Sequence, residues 1–361
     1  MHFALPSATL QTRQAALACI ARLEAMEDAL AATPARALEG MVAALRGAPS
    51  LAEQAWIVRA DAPSSAAASA WPLWFQPRET RHERPLFYLM HARSIDELRA
   101  LALETGERGI FGNSVDAPAS ARPGMQPGLP LWLAANPRCT PYDPASAQEA
   151  RAIVTAALRR LYVDGRQGFY YLRLHDRCPD ARAEGPDLSR QAALEAARGM
   201  YLVRPASARA GAARVRLLGA GQALDAVLAA GRALREEWNV ETEVWSCPSY
   251  TRLARESRAV ERWNRLHPCA PRRRSHLQRC LGTAADPVIA VTGYDRCIAE
   301  QIGRHAPGRF LALGAESAGR AGTPVDARWI AFAALGALVD EGRLPSRVAR
   351  EALLRYGFGD A

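Results

Sequence analysis

Histidine and cysteine side chains cluster in the stretch HPCAPRRRSHLQRC. Imidazole and thiolate groups are the usual ligands of structural zinc. The spacing matches no common zinc motif, and the three arginines of residues 272–274 would repel a cation. The sequence therefore disfavours a structural zinc site here. The ligand-type side chains are His267, Cys269, His276 and Cys280.

A second group of reactive side chains, His175, Asp176 and Cys178, follows a predicted strand in LRLHDRC. These types could supply a base, an orienting carboxylate and a nucleophile. A cysteine and a histidine three positions apart at a strand end seldom face each other, so catalysis is the less favoured interpretation. His91 is a single histidine at another predicted strand end, where a hydrogen-bonding role is more common. The sequence has no G-x-S-x-G, H-E-x-x-H or P-loop motif.

The stretch LLGAGQAL places Gly219 and Gly221 at a predicted turn from strand to helix. Such a turn can bind phosphate at the helix N-terminus. The third glycine of a dinucleotide-binding motif would fall at Leu224, so the match fails. We therefore expect the glycines to serve the geometry of the turn.

Trp263 and His267 lie in the arginine-rich stretch SRAVERWNRLHP. His267 could be a catalytic base, or the pair could form a corner where a helix ends. Proline disfavours a helical residue before it, and a tryptophan ring is usually buried. We therefore expect a corner in which Trp263 is buried and His267 is hydrogen-bonded before Pro268.

Composition indicates a globular protein: 49% of the residues are hydrophobic and 23% are charged. The formal net charge of +9 comes from scattered arginines, with no lysine in the chain, which argues against a nucleic-acid-binding surface. No apolar run approaches the 18 or so residues of a membrane-spanning helix, and the N-terminus lacks the pattern of a signal peptide. Seven widely spaced cysteines fit reduced thiols, so we expect a cytoplasmic protein.

The N-terminal half predicts helices that alternate with short apolar strands. Residues 11–46 show the apolar spacing of two helices. A helix over 94–106 should begin with a capping box of Ser94 and Glu97. Residues 116–141 contain many prolines and predict an extended loop, and residues 177–198 predict a connector. The predicted strands are residues 54–63, 85–92, 107–114 and 168–176, with a further helix over 143–162.

The C-terminal half alternates more regularly. The predicted strands are residues 214–221, 240–249, 286–295 and 308–316. The predicted helices are residues 222–238, 250–267 (with interruptions), 296–305, 326–341 and 345–356. Strands that alternate with helices favour a parallel sheet covered on both faces. The predicted fold class is α/β: two tandem doubly wound domains with mostly parallel sheets, preceded by a short helical segment.

Between Gly199 and Phe358 the sequence resembles the C-terminal domain of the homodimeric-type bacterial pyruvate dehydrogenase component, a transketolase-like, thiamine-diphosphate-dependent family. The resemblance is carried by GMYLVRP, VRLLGAG, REEWNVETEVWSCPSYTRLARES, VERWNRLHP, YDRCIAEQI and RFLALGAESAGRAG. Upstream, ALEGMVAALRG, SIDELRALALETGERGIFG and CTPYDPASAQEARAIVTAALRRLY resemble the family's middle domain. The resemblance implies a reduced pyrimidine-type domain at 47–190 and a transketolase C-terminal-like domain at 199–361. The helical pattern before them predicts a separate N-terminal helical segment at 1–46.

Several functional elements of that family have no counterpart in this sequence. The family holds its thiamine diphosphate and Mg²⁺ through a Gly-Asp-Gly motif, which does not occur here. Glu79 and Glu83 lie near the position of the family's cofactor-activating glutamate but in a predicted loop, so neither is given that role. Residues 115–130 replace a histidine-rich active-site loop and contain no histidine. Of a further family motif, this sequence keeps only Gly314, Gly319 and Arg320.

Two hypotheses follow from this comparison. In the first, the protein is a non-catalytic relative that acts by protein–protein association, as a homodimer or with a pyruvate dehydrogenase-type chain. In the second, it is one subunit of a split thiamine-diphosphate enzyme that decarboxylates pyruvate and acetylates lipoyl groups. The missing glutamate and the histidine-free loop favour the first. We therefore predict no catalytic, cofactor-binding or metal-binding residue and no bound cofactor.

Overall fold

Short apolar strands alternate with helices in two units, residues 1–178 and residues 179–361. The computed structural model describes residues 9–26, 33–59, 83–114, 126, 128–176, 188–207, 211–315 and 325–358. The described residues of each unit form a five-stranded sheet. The α/β class with mostly parallel sheets is therefore confirmed.

The first unit has an all-parallel sheet in the order β1-β2-β3-β5-β4. Parallel strands need crossover connections, which the helices between them supply. The strands are β1 (Trp56–Arg59), β2 (Leu86–Met90), β3 (Gly109–Ser114), β4 (Cys139–Tyr142) and β5 (Phe169–Leu174). The helices are α1 (Leu10–Glu24), α2 (Pro34–Arg46), α3 (Pro49–Ala52), α4 (Ile95–Glu104), α5 (Leu129–Ala135) and α6 (Ala147–Leu158), which continues as a π-helical turn, Arg159–Val163.

Both faces of this sheet are buried, by different helices. Side chains that alternate along a strand point to opposite faces. Phe87 belongs to a core cluster with residues of α1, α2 and α6, whereas its neighbour Tyr88 belongs to a cluster with residues of α4 and α5. The helices that the sequence analysis set apart as residues 1–46 thus contribute to the core of the first unit.

The second unit has the strand order β10-β9-β7-β8-β6, in which only β6 runs antiparallel to its neighbour among the described strands. The strands are β6 (Tyr201–Arg204), β7 (Arg214–Gly219), β8 (Glu241–Ser246), β9 (Val288–Val291) and β10 (Phe310–Leu313). The helices are α7 (Arg190–Arg198), α8 (Ala223–Trp238), α9 (Tyr250–Leu266), α10 (His276–Leu281), α11 (Cys297–Glu300), α12 (Ala327–Asp340) and α13 (Ser346–Arg355), with a 3₁₀ turn, Gly303–His305.

The loop predicted over 116–141 is wrong where it can be compared with the structure. Residues 129–135 form α5 and residues 139–142 form β4. Pro130 lies in the first turn of α5, where no hydrogen bond from its nitrogen is required. Pro141 lies in β4, which is an edge strand, the position in a sheet that tolerates proline.

Other predicted elements also differ from the structure. The connector predicted over 177–198 contains α7, which Ser189 caps by accepting from the Ala192 amide. The helix predicted over 250–267 was expected to have interruptions, but α9 runs without a break from Tyr250 to Leu266. The helix expected over 296–305 is a short α11 followed by the 3₁₀ turn. Strand β6 and helix α10 were not predicted, since each is too short to show a clear period.

The capping box at α4 is confirmed. The Ser94 side chain accepts from the Glu97 amide at 3.2 Å, and the Glu97 carboxylate accepts from the Ser94 amide at 3.3 Å. Replacing Ser94 with alanine should lower the free energy of unfolding by about 1 kcal/mol, because one helix-end amide loses its partner. Urea denaturation would measure this loss. Replacement with aspartate, which also caps helices, should restore most of the stability.

Candidate functional site

The carboxyl ends of four parallel strands meet at one edge of the first sheet, which is where α/β sheets usually bind ligands. This carboxyl edge is the candidate functional site. Polar residues follow or end each strand there. They are His91 after β2, Asn113 at the end of β3, Asp143 after β4, and His175 and Asp176 after β5.

Asn113 organises the buried middle of the carboxyl edge. Its Nδ2 donates to the Ala92 carbonyl oxygen at 2.8 Å and to the Tyr171 hydroxyl at 2.9 Å. Burial raises the pKa of the Tyr171 hydroxyl, although the hydrogen bond from Asn113 partly opposes this. Tyr171 therefore stays protonated at neutral pH. Sequence reasoning missed this pair because it joins strands far apart in the chain.

The predicted group of His175, Asp176 and Cys178 does not form a catalytic set among the described residues. The His175 ring is buried, and its Nε2 lies 3.2 Å from the Pro144 carbonyl oxygen. Asp176 accepts from the Thr33 hydroxyl at 2.8 Å and the Arg36 Nε at 3.2 Å, which anchors the start of α2. Cys178 lies outside the described residues.

His91 and Asp143 also contact the protein at this edge. The Nδ1 of His91 lies 2.7 Å from the Ser114 carbonyl oxygen, so the expected hydrogen-bonding role is confirmed. The buried Asp143 carboxylate lies 3.8 Å from the Arg173 guanidinium, which compensates its charge. These contacts link the ends of neighbouring strands, so both side chains have structural roles.

Glu83 lies at the opposite edge, before β2 begins. Its carboxylate accepts two hydrogen bonds from Arg108, which precedes β3. Arg108 also donates to the Leu161 carbonyl oxygen at 2.6 Å and to the Arg166 carbonyl oxygen, and its guanidinium lies 5.0 Å from the centre of the Tyr162 ring. The two charges are therefore a buried structural pair at the amino ends of the strands. Glu79, the other candidate, lies outside the described residues.

The G-x-G turn of the second unit fits the expected role of its glycines. A Cβ on Gly219 would come within 2.9 Å of the Leu224 backbone, so only glycine fits where β7 meets α8. Gly221 has a φ of +52°, which also favours glycine. Gly314 is equally constrained, since a Cβ there would overlap the backbone of Tyr294 and Arg296. Gly319 and Arg320 lie outside the described residues.

Trp263 and His267 form the end of α9. His267 donates its amide to the Trp263 carbonyl oxygen at 3.0 Å, and its Nδ1 lies 2.8 Å from the same oxygen. The indole is half-buried rather than buried, because the two groups that cover it are themselves exposed: the His267 ring stacks on it at 4.4 Å and the Arg273 guanidinium lies 3.6 Å from its centre. The segment is thus a stacked corner, and among the described residues no second polar side chain contacts the His267 ring to orient it as a base.

Of the four ligand-type side chains weighed for zinc, His276 and Cys280 are in contact: the Cys280 Sγ lies 3.6 Å from the His276 Nε2. Within the described residues, no three histidine, cysteine or acidic side chains are placed to share a metal ion. His276 is buried, and its Nε2 lies 2.8 Å from the Met200 carbonyl oxygen. Burial raises the pKa of the Cys280 thiol to about 12, so this sulfur stays protonated. Cys269 and His267 are exposed.

Two buried histidines of the second unit are held neutral. Burial lowers the pKa of His276, and the hydrogen bond to Met200 only partly opposes this. Burial also lowers the pKa of His305, whose Nδ1 lies 2.9 Å from the Glu261 carboxylate. Both rings therefore bind a proton less readily in the folded protein than in the unfolded chain.

Because both pKa values are lowered on folding, stability should fall as the pH drops below the unfolded histidine value of about 6.5. The unfolded chain gains protons there before the folded protein does. Urea denaturation at pH 7.5 and pH 5.5 would measure the loss. Replacing both His276 and His305 with glutamine should reduce this pH dependence.

None of the helices in the described part of the chain combines the length and the apolar character that a membrane crossing requires.

Comparison with known proteins agrees with this architecture. Residues 199–328 match the transketolase-like C-terminal domain family. Transketolases from Leishmania mexicana and Pichia stipitis have the same fold over 95% and 96% of this chain, and over 50% of each of those chains, with TM-scores of 0.53 and 0.52 and 17% and 15% identity. The chain is therefore a transketolase-like α/β protein.

Similarity to curated proteins shows which transketolase-like proteins this chain resembles in sequence. The chain is 38% identical to the pyruvate dehydrogenase E1 component of Cupriavidus necator over 236 residues, which cover 63% of this chain and 26% of that protein. It is 32% identical to the pyruvate dehydrogenase E1 component of Mycolicibacterium smegmatis over 298 residues, 77% of this chain and 32% of that protein. The match thus spans about a quarter to a third of those relatives. The chain is a pyruvate dehydrogenase E1-like protein.

Proposed function

We propose that this pyruvate dehydrogenase E1-like protein is non-catalytic and acts in the cytoplasm through protein–protein association. The observation that carries the proposal is the Glu83–Arg108 pair. Glu83 is the described glutamate nearest to the family's cofactor-activating position, yet it lies at the amino edge of the sheet and its carboxylate is held by Arg108. Ligands of such sheets bind at the opposite edge.

The described side chains at the carboxyl edge do not fit thiamine diphosphate chemistry. Activation of that cofactor needs a carboxylate against its pyrimidine ring. Asp143 is paired with Arg173, and Asp176 accepts from Thr33 and Arg36. Both carboxylates thus have roles inside the protein, and no reaction step through the cofactor is assigned to this chain.

An assay of pyruvate decarboxylation tests the absence of catalysis. With thiamine diphosphate, Mg²⁺ and a lipoyl acceptor present, the purified chain should decarboxylate pyruvate no faster than the same mixture without the chain. The Cupriavidus necator pyruvate dehydrogenase E1 component, assayed in parallel, would show that the conditions support the reaction. A rate that depends on the concentration of the chain would contradict the proposal.

The association partner is proposed to be a second copy of the chain or a pyruvate dehydrogenase-type chain. Sedimentation of the purified protein over a range of concentrations distinguishes a homodimer from a monomer. A dimer supports a second copy of the chain as the partner. If the chain sediments as a monomer, both alone and when mixed with the Cupriavidus necator protein, association with such chains is excluded.

A second candidate function is one subunit of a split thiamine-diphosphate enzyme. One observation favours it: the Asn113 Oδ1 is buried at the carboxyl edge and has no hydrogen-bond partner among the described residues, which leaves an acceptor for a ligand. In this case, adding a chain that carries a Gly-Asp-Gly diphosphate-binding domain should produce pyruvate decarboxylation that neither chain shows alone. Replacing Asn113 with alanine should then reduce the restored rate.

A further inference from the structure

An arginine lies partly buried at the edge of the second sheet. Arg204 ends β6 and pairs with Val244 of β8. Cross-strand partners share one face of a sheet. Val244 faces α8, since a Cβ placed on Gly231 of that helix would lie 3.3 Å from its side chain. Arg204 therefore lies on the face that α8 covers.

Helix α8 carries two more arginines near Arg204. Arg232 and Arg235 are three positions apart, a spacing that puts side chains on neighbouring parts of a helix surface. Burial lowers the pKa of Arg204, and the charges of Arg235 and Arg232 lower it further. Arg235 follows Gly231, which faces Val244, by four positions. Arg235 therefore lies on the side of α8 that faces Arg204. We call Arg204, Arg232 and Arg235 the arginine cluster.

No acidic side chain of the described residues is paired with the arginine cluster. The Nη1 atom of Arg204 is buried and has no hydrogen-bond partner among them. Three acids on the same elements make other contacts: Glu237 pairs with Arg355 at 3.3 Å, Glu243 pairs with Arg216 at 3.1 Å, and Glu241 accepts from the Ser207 amide at 3.0 Å. The exposed Glu236 of α8 is in no ion pair with Arg232.

A partly buried cation without a partner destabilises a fold, and two like charges beside it add to the cost. A bound anion would remove both penalties. Guanidinium groups present planar pairs of donors that match oxyanions. Three of them suit a phosphate group, with its greater charge and larger number of acceptor oxygens, better than a single carboxylate.

We propose that the arginine cluster is a binding site for a phosphate group, either free inorganic phosphate or the phosphate of a small organic ester. Arg204 would bind from the sheet, and Arg232 and Arg235 from the helix. The inference is independent of the proposed function, because the site lies in the second unit and requires no thiamine diphosphate.

Thermal unfolding of the full chain, with affinity from calorimetric titration, tests the site. Inorganic phosphate, glycerol 3-phosphate and acetate would be compared with chloride at equal ionic strength, because salt screens charges non-specifically. Either phosphate should raise the melting temperature saturably, and the one that binds more tightly identifies the source. A shift from acetate as large as that from phosphate would overturn the assignment, as would no shift from either phosphate.

The Arg204→Gln variant should show two opposite effects. Without phosphate it should be at least as stable as the wild type, because the unpaired charge is gone. Its phosphate affinity should be about ten- to a hundred-fold weaker, as expected from losing a charged hydrogen-bond partner. Arg347→Gln, which changes the same charge at an exposed position of α13, should keep wild-type affinity. Wild-type affinity in Arg204→Gln, or equal weakening in both variants, would overturn the proposal.

Discussion

Replacing Arg108 with methionine is expected to lower the free energy of unfolding of the first unit by about 3–5 kcal/mol, because it leaves the Glu83 carboxylate without its partner. The pair is largely shielded from water, since the side chains of Arg108 and Glu83 are 6% and 13% exposed. The change also removes the donor to the Leu161 and Arg166 carbonyl oxygens. Urea denaturation would measure the loss, with hydrogen exchange in residues 83–114 locating it.

Arg138 provides a matched control for this prediction. Its Nε lies 2.7 Å from the Glu107 carboxylate, but the two side chains are 41% and 26% exposed. Replacing Arg138 with methionine should cost no more than about 1 kcal/mol, as is usual for exposed ion pairs. The double variant Glu83→Gln, Arg108→Met should be more stable than Arg108→Met alone. If the Arg108 and Arg138 variants lose equal free energy of unfolding, the Glu83–Arg108 pair does not stabilise the first unit as a buried ion pair.

Replacing Gly168 with alanine should destabilise the first unit by at least about 3 kcal/mol. Gly168 has a φ of +109°, and a Cβ there would overlap the Arg138 carbonyl oxygen. That oxygen accepts from the Phe169 amide at 2.8 Å where β5 begins. The alanine would therefore disturb a strand that lies between β3 and β4. Thermal unfolding followed by circular dichroism would measure the effect.

Gly40 is the matched control in the same unit. It lies inside α2, and a Cβ there would meet nothing within 4 Å. Replacing Gly40 with alanine should raise stability by about 1 kcal/mol, since glycine is a poor helix former. A similar loss of stability in both variants would contradict the argument from backbone conformation at Gly168.

The features that the sequence predicted correctly depend on residues close together in the chain. Ser94 and Glu97 are three positions apart, so their capping box could be read from spacing. The turn at Gly219 and Gly221 is likewise local. Periodicity and the resemblance of residues 199–358 were sufficient for the α/β class. Proline content misled the prediction at 129–142, because an edge strand and the first turn of a helix both tolerate proline.

The contacts that form the candidate sites join residues far apart in the chain. Arg108 meets Glu83 from 25 positions away, and the Arg166 carbonyl oxygen from 58 positions away. Asn113 and Tyr171 also lie 58 positions apart. The arginine cluster depends on the pairing of β6, a four-residue strand that was not predicted. Such contacts follow from strand order and register, which the amino-acid pattern alone does not specify.

The proposal that this chain does not support thiamine-diphosphate catalysis can be tested by calorimetric titration with thiamine diphosphate and Mg²⁺. No saturable heat is expected up to millimolar cofactor, because the carboxylates described in the first unit are held in contacts within the protein. Saturable binding at micromolar cofactor would contradict the proposal and would show that the chain forms a cofactor site.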